Sequence, residues 1–348
     1  MSIRALALAT AFTTMIVAPA LAADAWKAPR NAYGQPDLSG VWTNATITTL
    51  ERPPAFGERK VLTDAEARRL ESGNAARVQR AAEATKDGTK VDELPSCGGG
   101  QTGPACGYNA FWVDPGTKVI RVGAEARTSI LVEPKDGRLP LTPAAQARIR
   151  AAQGTVRVGN FDGPERRPLG ERCLVGFGST SGPPMLPVLY NNHYQIVQTG
   201  REVMIQVEMV HDTRIIRLND THKPAGVRLW MGDSIGHWEG DTLVVETTNF
   251  RPDQTFRGAT TGQTVTERFT RISPQQILYQ FEVIDPAAFT APVKGEESFN
   301  VTHDMVYEYA CHEGNYALPG ILAGAREEEK KGKEMEGNRG AVREEGAE

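Results

Sequence analysis

Apolar residues recur at two spacings along the chain, and the spacing changes near Tyr190. Before it, "LTDAEARRLESGNAARVQRAAEATKDG" sets Ala and Leu at helical intervals behind Thr63, a capping residue followed by early acids, and predicts a helix with a break at Gly73-Asn74. "LTPAAQARIRAAQG" repeats the arrangement with Thr142 as N-cap, Pro143 at the first helical position and Gly154 as stop. Between these helices, "TKVIRVGAEARTSILVEPKDGRLP" alternates apolar and polar residues in two short runs ended by Pro134 and Asp136-Gly137, a strand-then-turn pattern. The stretch from Ala23 to Pro54 reads as an extended lead-in with a turn at Pro36-Asp37. The stretch from Gly154 to Pro187 reads as irregular, either functional or wrapped over a core.

After Tyr190 the period is two. "YQIVQTGREVMIQVEMVHDTRIIRL", "WEGDTLVVETTNF", "QTVTERFTRISPQQILYQFEVIDP" and "ESFNVTHDMVYEYA" are β-rich runs separated by turn signals at Thr199-Gly200, Asn219-Asp220, Gly240-Asp241 and Ser273-Pro274. Short connections between such runs predict hairpins in series, an antiparallel meander. Roughly eight strands must hide their edges, and closure into an up-and-down barrel does so. Within a run, Val203, Ile205 and Val207 oppose Met204, Gln206 and Glu208, while Val244 and Glu246 oppose Val245 and Thr247. The expected fold is therefore mainly β, with residues 188–318 forming the barrel, 23–187 a helical and irregular region packed on it, and 319–348 a charged, solvated tail.

Composition adds the compartment. The first residues carry Arg4, then an apolar run, then Ala20-Leu21-Ala22, the pattern of a cleavable signal peptide over residues 1–22. No later run approaches the ~20 apolar residues of a spanning helix, so an exported protein without a membrane span, periplasmic or secreted, is expected. A net charge of −4 without clustered Lys and Arg argues against a nucleic-acid partner. Four cysteines in an oxidising compartment read as two disulfides rather than metal ligands. Of the three pairings we expect Cys97 with Cys106, closing "CGGGQTGPAC", and Cys173 with Cys311, tying the middle of the chain to its end. A disulfide sulfur is neither nucleophile nor ligand, which makes Cys311 a holder of His312 and its neighbours.

Candidate chemistry centres on the histidines. "EMVHDTR" places His211, Asp212 and Arg214 together, although on a strand neighbouring side chains face opposite ways and each needs a partner from another strand. The plain alternative there is a strand end with an Asp212–Arg214 surface pair. In "GDSIGHWEGD", Asp233 and His237 precede the turn at Gly240-Asp241 and form a base-and-orienter pair if both face a barrel mouth; the plain alternative is a turn cap beside a half-exposed imidazole. His312 is a reserve base. Arg172 or Arg214 would hold an anionic group or a developing oxyanion. Trp112, Tyr190 and Trp238, with Asn191, His193 and Tyr316, suit an aromatic or carbohydrate-like ligand, or ordinary core packing.

Metal and cofactor motifs fail by residue. H-E-x-x-H breaks at Asn315-Tyr316 and C-x-x-C-H has no cysteine at 308. The Gly-rich "CGGGQTGPACG" lacks the Gly-Lys-Ser/Thr ending of a phosphate loop, "GSTSG" has Thr180 where a nucleophile elbow has serine, and no G-x-G-x-x-G opens a helix. A zinc site built from His211, His237 and His312 is chemically sound, yet their spacing does not call for it. No metal and no organic cofactor is expected.

The strings "PDLSGVWTN", "RTSILVEPKDGRLPLTP", "PERRPLGERCL", "GDSIGHWEGDTLVVETTNF" and "YEYACHEGNY" resemble the signature blocks of a family of secreted proteins of proteobacteria and acidobacteria. They span nearly all of the chain after the leader. The resemblance implies export and brings no reaction. The hairpin block is more weakly similar to lipocalin-like barrels, which implies a fold and not a function. Two functions from different classes follow: an exported enzyme performing cofactor-independent acid/base chemistry (lyase, isomerase or hydrolase) on a small molecule, or a non-catalytic ligand-binding or carrier protein. A third, an envelope-assembly protein, rests on location alone.

Overall fold

A computed structural model of the chain describes residues 26–82, 116–158, 161–176 and 182–330. The signal-peptide region 1–22, the expected Cys97–Cys106 bond, Trp112, the 178–181 part of "GSTSG" and the tail beyond 330 lie outside the described residues.

The described residues form thirteen strands: β1 (Gly40–Thr43), β2 (Val61–Leu62), β3 (Arg121–Val122), β4 (Glu125–Arg127), β5 (Leu131–Glu133), β6 (His193–Gln198), β7 (Glu202–Val207), β8 (Thr213–Leu218), β9 (Asp233–Glu239), β10 (Thr242–Thr248), β11 (Thr264–Ser273), β12 (Gln276–Ile284) and β13 (Val293–Val301). Strands β6 to β13 follow one another around a barrel, as the alternation after Tyr190 predicts. The ninth strand is β1. Its Trp42 pairs with Tyr194 on one side and Val301 on the other, joining first strand to last and leaving no open edge in the ring. The lead-in thus supplies the closing strand, and a boundary at residue 187 does not separate barrel from wrap. Strand β5 adds to β13 outside the ring, and β2, β4 and β3 form a separate small sheet.

One pairing departs from a meander. Strands β8 and β9 run parallel, Ile216 beside Ser234 and Leu218 beside Gly236. A tight turn cannot join parallel neighbours; the 219–232 connection is long enough to carry the chain back, since such a crossover takes roughly a dozen residues or more.

The barrel is filled by side chains. Trp42, Tyr194, Ile196, Val203, Ile205, Val245, Phe269, Tyr279 and Phe299 are each 1% exposed or less, and stacked rings such as Tyr194–Phe299, 5.0 Å between centroids, occupy the centre. Gly295 on β13 is where the Phe281 ring lies: a Cβ there would meet the ring at 2.1 Å.

Both predicted helices form, and both run past their expected breaks. Helix α1 (Asp64–Ala82) begins with a reciprocal cap, Glu66 N–H to Thr63 Oγ1 at 3.3 Å and Thr63 N–H to Glu66 Oε2 at 2.8 Å, and continues through Gly73-Asn74. Helix α2 (Pro143–Val158) starts on Thr142, whose Oγ1 accepts the Ala145 N–H at 3.2 Å, and passes Gly154. A glycine in a helix interior costs only about 1 kcal/mol, too little to end either one. Helix α3 (Ala317–Lys330) docks by Arg326 Nη2 on the Phe161 carbonyl at 2.7 Å, with Ala325 buried. Among the described residues no helix is long and apolar enough to cross a membrane.

After β13 the chain leaves the barrel and, among the described residues, forms no further strand. "YEYACHEGNY" crosses the end of the barrel as turns and extended chain, tied by the Cys173–Cys311 disulfide, S–S 2.02 Å and Cα–Cα 5.7 Å.

Candidate functional site

The β6–β7 hairpin turns at Thr199-Gly200 and pairs Gln198 with Val203 and Tyr194 with Val207. One step further along, the same register sets His193 opposite Glu208. The Glu208 N–H donates to the His193 carbonyl at 2.9 Å, and His193 Nδ1 lies 2.8 Å from Glu208 Oε2. The chain then turns sharply through Met209–His211, with Val210 at φ 57° and His211 at φ 46°. A β-branched residue rarely accepts that conformation, and here it lets β8 start at once, so Glu208 stays at the barrel end.

Glu208 is buried, and its second oxygen accepts the Tyr307 N–H at 3.1 Å. Burial pulls this carboxyl upward, and bonds from His193, the Tyr307 N–H and Asn191, with the His193 charge, outweigh it and hold the group below the usual carboxylate range. Glu208 is therefore an ionised acceptor that orients the imidazole through Nδ1. On the other side of the ring, Nε2 faces Asp304 Oδ2 at 3.9 Å, and 22% of the His193 side chain reaches solvent. Large exposed side chains sit on the same segments: Leu189, Met305 and Tyr307. Burial, with the Tyr190 charge and hydroxyl, pushes the Tyr309 phenol up to about 12, so this group stays a proton donor.

A second polar group is sealed inside the barrel. Arg214 makes a two-pronged ion pair with Glu267, bonds Ser234 Oγ at 3.0 Å and Thr247 Oγ1 at 3.1 Å, and Glu267 also accepts the Tyr279 hydroxyl at 2.8 Å. The Tyr279 oxygen in turn accepts the Met185 N–H at 2.9 Å, fastening the 182–188 segment to the core. Every hydrogen-bonding arm of Arg214 that these contacts involve is taken by the protein itself.

A third group lies on the outer face of β9. Asp233, fully buried, accepts from Arg217 Nη1 at 2.8 Å and the Lys223 N–H at 2.7 Å, and lies 3.1 Å from His222 Nδ1. Burial opposes its ionisation, and these three partners overcome it, lowering the carboxyl to about 2. His222 Nε2 reaches Glu246 Oε1 at 3.0 Å, which clamps the β8–β9 crossover onto the sheet.

The residues singled out from sequence are scattered over these places. Asp233 does not meet His237: four residues along a strand is roughly 13 Å, and His237 pairs instead with Glu239 at 3.2 Å in an exposed position. His211 is exposed at the tip of its turn. Asp212 Oδ2 accepts the Gly176 N–H at 3.0 Å and so holds the 170–176 segment. Arg172 points at the Glu165 carbonyl, 3.4 Å away. His312 is exposed next to the disulfide, and Trp238 packs its ring on the core. Of the expected ligand residues, His193 is itself half of the dyad, Asn191 bonds Glu208, and Tyr190 bonds Tyr309 on the crossing segment. Among the described residues no cluster of three or more His, Cys, Asp or Glu side chains is arranged to hold a metal ion. Comparison with known proteins finds no matching family model, no matching curated protein and no matching solved structure.

Proposed function

We propose that this protein is an exported enzyme that performs general acid/base chemistry, of lyase, isomerase or hydrolase type, on a small molecule with an aromatic or carbohydrate-like body. The observation that carries the reading is the His193–Glu208 contact at 2.8 Å at the barrel end. A buried, ionised carboxylate fixes the tautomer of a partly exposed imidazole, the arrangement a general base requires. Arg214 is committed to Glu267 inside the barrel, and Arg172 faces a backbone carbonyl. No arginine is thus available from those two positions to clamp an anion, and Glu208 with Asp304 favours a neutral or cationic substrate. Export is supported by the leader-like residues 1–22 and by the Cys173–Cys311 bond.

The alternative, a carrier of the lipocalin kind, would keep its ligand inside the barrel. Packed rings in the interior weigh against it. The deciding experiment screens small molecules for those that raise the melting temperature and then follows each by mass spectrometry in the presence of wild type and His193→Gln. Conversion that drops by roughly 10²–10⁴-fold in the folded variant is expected. Ligands that bind and are never converted would leave the carrier in place of the enzyme.

A further inference from the structure

We infer that the cleft between the Tyr307–Tyr316 segment and α3 binds a small organic cation, a protonated amine on an aryl or alkyl body. This site goes beyond the dyad and does not depend on it. The cleft holds about 510 Å³, within the range of small-molecule pockets. Its walls are the disulfide, Tyr309, Leu318 and Ile321, and among the described residues the only charged side chains lining it are Glu171 and Glu308, with no Lys, Arg or His.

The two carboxylates are not equivalent. Glu171 is paired with Arg167 through contacts of 2.9 and 3.0 Å, which cancels its pull on a ligand. Glu308 makes no ion pair among the described residues and supplies the charge. The start of α3 would by itself favour an anion. Asn315 offsets that by accepting the Leu318 N–H on Oδ1 at 3.3 Å while its Nδ2 donates to the Glu171 carbonyl at 2.9 Å. A carboxylate beside a tyrosine and an aliphatic wall matches an ammonium group carried on an apolar body, by ion pairing, ring contact and burial of the body. An anion would be repelled by Glu308, and a neutral ligand would cover that carboxylate without pairing it. Because the Cys173–Cys311 bond ties the Tyr307–Tyr316 segment to the 170–173 stretch that also lines the cleft, that side of the cleft is set before the ligand arrives.

Calorimetric titration with phenethylamine and hexylamine, beside phenylacetate as an anion of similar shape, tests this. Both amines are expected to bind wild type at millimolar concentration or better, more weakly as salt is raised, with phenylacetate giving no heat. Glu308→Gln, a change at an exposed side chain that leaves the fold intact by circular dichroism, should weaken the amines by roughly tenfold or more. Amine binding that survives Glu308→Gln and is lost in His193→Gln would belong to the dyad and would overturn the assignment. Failure of both amines to bind, equal binding of phenylacetate, or amine binding indifferent to Glu308→Gln would each overturn the assignment.

Discussion

Arg214 on β8 and Glu267 on β11 meet inside the barrel with side-chain exposures of 2% and 0%. Taking two charges out of water is costly, and the cost is offset here by their mutual attraction and by bonds from Ser234, Thr247 and Tyr279. Removing one partner strands the other in an apolar interior. Arg214→Met should therefore lose about 3–5 kcal/mol of stability in urea denaturation. The double variant Arg214→Met with Glu267→Leu should recover most of that loss, since a well-packed apolar pair of similar volume is often neutral or better. If the double variant is as unstable as the single one, the pair does more than satisfy itself.

Glu297 on β13 shows the opposite electrostatics. It is fully buried, accepts one bond from Asn44 Nδ2 at 3.2 Å, and neither its Oε1 nor Asn44 Oδ1 has a hydrogen-bond partner among the described residues. Burial pushes this carboxyl well above its ordinary 4.5, and the Asn44 bond pulls it back only in part. The folded protein keeps the proton while the unfolded chain releases it near 4.5, so this residue's contribution falls as pH rises above that value. Glu297→Gln mimics the protonated acid and removes the dependence. Its stability relative to wild type should climb with pH by up to about 1.4 kcal/mol per unit. Urea denaturation of both proteins at about pH 5, 6 and 7 reads the slope directly, and a difference that does not change with pH would mean that Glu297 is ionised in the fold.

What was legible in the sequence follows from which signals are local. The period of two after Tyr190, the caps at Thr63 and Thr142, and the even cysteine count all act over short distances or through compartment chemistry, and they led to the barrel, the helices and the Cys173–Cys311 bond. The role of β1 was hidden because four residues between Gly, Pro and Asn carry too little pattern to mark a strand; closure comes from its partners. The parallel β8–β9 pair was hidden because a crossover and a long hairpin loop have similar composition. His193–Glu208 was within reach: folding the chain at the recognised Thr199-Gly200 turn and counting outward brings these residues opposite each other. Attention fell instead on residues close in sequence, such as Asp233 and His237, which strand geometry holds apart.

Gly295 faces Phe281 across the β12–β13 pair, the two being directly opposed in register. A methyl group there would lie 2.1 Å and 2.3 Å from ring atoms of a side chain that is 3% exposed and packed against Phe256 and Tyr279. The ring must leave its position, so Gly295→Ala should cost about 1–3 kcal/mol or more. Pairing it with Phe281→Leu should give a protein more stable than the sum of the two single losses predicts, because the smaller side chain makes room for the methyl. Strict additivity in thermal denaturation would show that the contact does not govern the cost.

Cys311 stands four positions beyond Tyr307, whose N–H is bonded to Glu208, so the disulfide and the dyad share one short tether. The bond spans 138 residues of chain, and in the chain-entropy model a loop of that size is worth about 5 kcal/mol; native disulfides usually deliver 2–5. Cys173→Ser with Cys311→Ser should therefore lower the unfolding free energy by about 2–5 kcal/mol. It should also loosen the 302–316 segment ahead of the barrel, since that segment forms no ladder and its remaining anchors are few. Hydrogen exchange separates the two effects. Exchange of the Tyr307 amide should accelerate beyond the change seen at Phe269 and Tyr279, which report only global opening from the centre of the sheet. Equal acceleration at all three would mean that the disulfide stabilises the whole fold without selectively positioning the segment over His193 and Glu208.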